Sequence, residues 1–173
     1  MLLMHSMFHG KPIISIRSGM TLGVVSGPVV NPDTLKLEGF YVNSTNGPQS
    51  RILLKQDARE MSSQGIIIDN EDELVLPTDI IRLKDILQLH YDLIGKKVIT
   101  KSKKRLGEVT EYVVESSDLS VQKIHVAPPF WKLGQQKTHV IDRTQIISVN
   151  DQFVKVKDAT IKSTAPATVP TPA

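Results

Sequence analysis

Short apolar runs with strand-like alternation fill most of this chain, and a single stretch of helical spacing interrupts them. Residues 13–16, 22–25, 29–30, 35–42, 51–55 and 66–68 are rich in Ile, Val and Leu and bounded by turn residues, which predicts strands. Arg17-Ser18-Gly19-Met20 reads as a turn, and Asn31-Pro32-Asp33-Thr34 as a type I turn with Pro fixing φ at its second position. Strict alternation along 35–42 places Leu35, Leu37 and Tyr41 on one face and Lys36, Glu38 and Phe40 on the other. Residues 43–50 form a polar hairpin loop, and the acidic run 69–73 reads as a solvated turn, since it lacks the glycine and distal glutamate of an EF-hand loop. After Pro77 the period changes. Ile80, Leu83, Ile86, Leu87 and His90 recur at helical spacing, which predicts one helix over about 79–89, capped by Thr78 or Asp79. Strand patterning then resumes at 98–99, 106–115, 119–126, 138–141, 146–149 and 153–156.

The pattern on either side of that helix is the same pattern. GKPIISIRSGMTLGVV at 10–25 and GKKVITKSKKRLGEV at 95–109 both run Gly-Lys, an aliphatic pair, a polar turn and Leu-Gly-x-Val. At an offset of 84, residues 22–42 align with 106–126 without a gap. Seven of those 21 positions are identical: Leu22/Leu106, Gly23/Gly107, Val25/Val109, Val29/Val113, Val30/Val114, Leu35/Leu119 and Val42/Val126. A repeat of this length is a small domain rather than a solenoid unit. Each copy, at about 60–70 residues, is marginal alone, so the copies are expected to lean on each other or on the segment between them.

Those motifs, with the Val-Val pair and an aliphatic return strand, resemble the PRC-barrel family, at 10–68 and again at 95–156. Residues 141–147, IDRTQII, are similar to the family's late strand-entry segment, and LKQDAR at 54–59 resembles it more weakly. The resemblance implies a mainly β fold: two small PRC-type β-barrels in tandem, joined by a short helix. It divides the chain into an N-terminal extension at 1–9, a first barrel at 10–76, a helical connector at 77–92, a second barrel at 93–160 and a disordered Thr/Pro/Ala tail at 161–173. Six short strands with tight turns suit a barrel, which closes its own edges. The family carries no shared catalytic residues, so the resemblance implies an adaptor or assembly surface and no transferable active site. The reaction-centre subunit and the ribosome-maturation factor of that family have a transmembrane helix and a separate N-terminal domain respectively. This sequence shows neither.

Composition narrows the chemistry. The 173-residue chain has no cysteine, which removes disulfides and thiolate metal sites and suits a reducing compartment. Net charge is +3 with a pI near 9.1, mildly basic and short of a nucleic-acid specialist. Met1 to Phe8 is apolar but lacks a signal-peptide pattern, and no run approaches the ~18–20 apolar residues that span a bilayer. The expectation is a cytoplasmic protein.

Two features could bind a partner. Lys96, Lys97, Lys101, Lys103, Lys104 and Arg105 place six cations in ten residues with no acid among them, where copy one has only Lys11 and Arg17. They read as a patch for phosphate or an acidic protein face, or as charges guarding a strand edge. Phe130 and Trp131 stand on a proline-stiffened loop where copy one carries NSTNGPQS. They read as an exposed anchor, or as core folded back over the barrel end. His125 and His139 could face each other across that hairpin, but two histidines fall short of a zinc ligand set and no metal or other cofactor is expected. No nucleophile elbow, Walker loop or dinucleotide loop is present, so no enzyme is expected. The expected function is a non-catalytic adaptor that binds another protein through its PRC-barrel surfaces. The alternative is an RNA- or ribosome-associated module, or one docking on another anionic surface, through the basic turn. Nothing points to DNA specificity.

Overall fold

The computed structural model describes residues 1–129 and 138–158. In chain order the strands are β1 (Leu2–Met4), β2 (Pro12–Ser15), β3 (Thr21–Asn31), β4 (Lys36–Ser44), β5 (Ser50–Leu54), β6 (Glu60–Met61), β7 (Ile66–Ile68) and β8 (Leu74–Val75). The helix α1 (Lys84–Leu89) follows. Then come β9 (Lys97–Thr100), β10 (Arg105–Glu115), β11 (Val121–Ala127), β12 (His139–Asp142), β13 (Ile146–Val149) and β14 (Phe153–Val156). They form two sheets of seven strands. One runs β6-β7-β2-β3-β4-β5-β8; the other runs β13-β14-β9-β10-β11-β12, with β1 added beside β10.

Six strands of each sheet correspond in order, β6-β7-β2-β3-β4-β5 with β13-β14-β9-β10-β11-β12, while β8 and β1 have no counterparts. In each, the first hairpin strand pairs parallel with a late strand: β2 with β7, and β9 with β14. The irregularities correspond as well. Leu22, Ser26 and Glu38 are the extra residues at register shifts in the first sheet, and Leu106, Thr110 and Gln122 are their counterparts in the second. The bulge at Glu38 reverses the alternation of β4. Phe40 therefore enters the core beside Leu37, and Tyr41 faces outward, opposite to what strict alternation gives. Leu35 and Leu119 share a left-handed conformation, with φ of 52° and 54°, as do Gly10 and Gly95 at 74° and 80°.

The expected closed barrels are open sheets. β12 and β13 end the second path, and the chain passes between them through a single 3₁₀ turn, Arg143–Gln145, held by a capping box between Asp142 and Gln145. The equivalent Lys55–Asp57 turn leads from β5 towards β6. The end strands of the second sheet are thus joined by one 3₁₀ turn with no ladder between them, whereas in the first sheet β8 continues the path beyond β5. The connector also differs from the single helix expected. Pro77–Asp79 and Ile81–Leu83 are 3₁₀ turns, and only Lys84–Leu89 is α-helical, ended by His90 at φ 44°. The N-terminal extension at 1–9 packs into the fold. Leu3 pairs with Val114 and is buried, while Phe8 is buried with its ring 5.1 Å from that of Phe40.

The halves meet about a near-symmetric contact. Leu37 N donates to Leu119 O and Val121 N donates to Leu35 O, each at 2.8 Å, on either side of a bridge between Lys36 and Ser120. These residues are equivalent at the offset of 84, so each half gives the other the same bond that it receives. Arg143 adds bonds across the junction to the carbonyls of Thr34 and Leu35. One continuous apolar core, including Ile13, Leu37, Phe40, Tyr112, Ile124 and Val154, runs through both halves. A smaller cluster lies on the outer face of the first sheet, where Ile80, Leu83 and Leu87 of the connector cover Val29, Ile52 and Leu54.

Candidate functional site

The basic segment forms the β9–β10 hairpin. Its turn is tight because Lys103 takes a left-handed φ of 67°, in the place of Gly19 at 68°, and Lys104 N–H also reaches the Thr100 hydroxyl. The six cations divide. Lys96 is held, its ammonium donating to Asp151 O and lying 4.9 Å from the Tyr91 ring centroid. Arg105 pairs with Glu108 at 2.8 Å. Lys97, Lys101, Lys103 and Lys104 are exposed. The fold adds two lysines that sequence spacing did not connect to this turn. The parallel pairing of β14 with β9 sets Lys155 opposite Ile99, and Lys157 follows. Asp158 turns inward to the hairpin, accepting from the N–H and hydroxyl of Ser102 at 3.0 and 2.7 Å, and the hydroxyl bond is the main reason its carboxyl titrates below the usual range. The result is a lysine-dominated outer face drawn from β9, β10 and β14.

The equivalent face of the first half has the opposite character. Cross-strand partners share a face. In the second half one such row is Arg105, Ile99, Lys155 and Ser148; in the first half it is Thr21, Ile14, Ile67 and Glu60. Ile16 and Met20, counterparts of Lys101 and Lys104, are 61% and 65% exposed, and Val24, counterpart of Glu108, is 39% exposed. The acidic run 69–73 borders this face, since Arg17 N–H bonds to Asp69 O. Within that run Arg59 makes a bidentate pair with Asp69, whose carboxyl it holds below its usual range.

Phe130 and Trp131 lie outside the described residues, as does the tail from 159. His125 and His139 do not face each other: His125 pairs with Val140 and His139 with Val126, so adjacent positions send the two rings to opposite faces. Among the described residues no group of three or more His, Asp or Glu side chains is placed to hold a metal ion. A mainly apolar groove of about 770 Å³ runs between the connector and the first sheet, lined by Gly27, Tyr41, Ile80, Leu87 and His90 among others. The Tyr41 and His90 rings are parallel there, their centroids 6.3 Å apart, and burial raises the Tyr41 hydroxyl above its usual range. Sequence reasoning missed this groove because its wall depends on the break in the connector. Among the described residues no helix is long and apolar enough to cross a membrane.

The Gly-containing second strand and the short downstream strands are the features that the sequence motifs anticipated for residues 95–156; the parallel pairing of β9 with β14 is added by the structure. Residues 89–167 match the PRC-barrel domain family. The lysine face, the outer surface of β9, β10 and β14, lies within the matched residues. No curated protein matches the chain.

Proposed function

We propose that this protein is a non-catalytic, cytoplasmic adaptor that binds another protein through the outer surfaces of two tandem PRC-type domains. The family match to the second half carries the reading, because a PRC-barrel resemblance implies an assembly surface. The tandem arrangement is supported by the matching strand orders, the three equivalent register shifts and the reciprocal bonds at Leu35–Leu37 and Leu119–Val121. The exposed apolar residues of the first half give such a module something to bury. The test is affinity capture with the tagged full chain from nuclease-treated source cells, washed at about 0.5 M salt, where exposed charge contacts are largely screened. Recovery of a defined protein that untagged chain displaces supports the adaptor. Recovery of nothing contradicts it.

One observation favours a second reading. Lys155 and Lys157 join Lys97, Lys101, Lys103 and Lys104 on one side of the hairpin, which strengthens the patch for RNA or another polyanion. In that case the captured material is nucleic acid, lost on nuclease treatment, and its affinity falls steeply with salt.

A further inference from the structure

The most informative asymmetry in the molecule is between equivalent positions of its two halves. Both halves place a β-hairpin and a parallel late strand in the same arrangement, so their outer faces differ chiefly in side chains. In the second half the matching positions carry Ile99, Lys101, Lys104, Glu108 and Lys155, and the fold tolerates the four charged residues with part or full solvent exposure. Apolar residues are therefore not required there for folding. Yet the first half presents Ile14, Ile16, Met20, Val24 and Ile67 at the same places, and three of them are more than a third exposed. The apolar face is bordered by Glu71 and Asp72, both exposed, and by Glu73 and Asp69. Arg17 and Arg59 are the cations beside it, and Arg59 is taken up by Asp69. The run stays net acidic. Two copies of this face meeting each other would bring like charge together, so its composition selects a basic occupant with some apolar surface.

The lysine face fits that description. It is net basic despite Glu108 and Asp158, and Ile99 and Phe153 lie partly exposed between its lysines. We propose that the apolar, acid-bordered face of the first half binds the lysine face of the second half of another copy of the chain. The inference rests on the reading of the protein as an assembly module. It specifies the partner as a second copy, bound through unlike faces. Such a contact joins two different patches, so it does not close as a two-fold dimer; it extends into chains or closes as a ring. Lysines meeting Glu71 and Asp72 steer the encounter, and Ile16 and Met20 supply the apolar contact.

Sedimentation velocity on the purified, nucleic-acid-free full chain tests this directly. The expected result is association that grows with concentration at about 50 mM salt and reverts to the 19.2 kDa monomer at about 0.5 M, as screening shortens. The Lys101→Glu/Lys103→Glu/Lys104→Glu variant and the Glu71→Lys/Asp72→Lys variant change only exposed side chains. Each alone should weaken association at least tenfold. Mixed one to one they should associate again, because the unaltered face of each meets the unaltered face of the other. Ile16→Ser/Met20→Ser should weaken association while leaving thermal stability in place. A wild-type chain that stays monomeric at about 0.2 mM in low salt overturns the proposal. So does a mixture of the two charge variants that fails to recover, or association seen only when RNA is added. Failure here with a foreign protein still captured from cells leaves the adaptor reading standing. Self-association without such capture removes that reading's foreign partner.

Discussion

Gly107 shows how one residue fixes the geometry of a half. It has φ of 149°, and a Cβ placed on it would collide with the carbonyl of Ala127 on the neighbouring strand. Its counterpart Gly23 has the same need in milder form, with Asn43 O 2.6 Å from where a Cβ would stand. The Leu-Gly-x-Val motif is thus legible as a demand for close strand approach, and both copies confirm it. Gly107→Ala is expected to destabilise the protein by about 2–4 kcal/mol, from backbone strain together with overpacking. Urea denaturation measures this, and a change under 1 kcal/mol would show that the strand can move aside. Lys103 is the opposite case. Nothing in its side chain announces a left-handed turn; it occupies the place of Gly19 because the hairpin closes there, with one residue fewer than in the first half.

At the scale of elements, the longer strands, their turns and the repeat were legible because those strands are flanked by turn residues and keep a two-residue period between their bulges. The connector was legible only as apolar spacing. Its stripe does cover the first sheet, but Pro77 and the non-helical Ile80 break it into 3₁₀ turns before α1 begins. β1 was not legible: three residues are too few for a period, and its partner strand lies more than a hundred residues away. Lys155 and Lys157 were missed for the same reason, since only the parallel pairing of β14 with β9 brings them to the hairpin. The turn between β10 and β11 has a measurable consequence. Asp118 there accepts from the Ser120 hydroxyl at 2.6 Å, from Ser120 N–H, and from Lys36 across the junction at 3.0 Å. These bonds, led by the Ser120 hydroxyl, hold its carboxyl down at about 2. A folded-state value below the unfolded one contributes stability above pH 4, and that contribution disappears as pH falls from about 4 to 2. The pair is half exposed, so solvent limits it to about 1 kcal/mol or less. Asp118→Asn should lower stability slightly at pH 7 and flatten this part of the acid limb in a urea-midpoint series. An unchanged acid limb would mean that the carboxylate contributes nothing at the junction.

On the scale of the whole molecule, two halves of matching topology share one core and present unlike outer faces. An adaptor works with such faces only if their spacing is fixed, which requires the halves to behave as one body. The reciprocal bonds around Lys36 and Ser120, the pairing of β1 with β10 and the continuous core all predict that they do. The sequence repeat alone reads equally well as two independent barrels, because the residues at the junction look like ordinary hairpin positions. Differential scanning calorimetry of the full chain decides the matter. The predicted result is a single transition of about 100 kcal/mol, with calorimetric and van't Hoff enthalpies equal within error. Two resolved transitions, or a calorimetric enthalpy near twice the van't Hoff value, would contradict it.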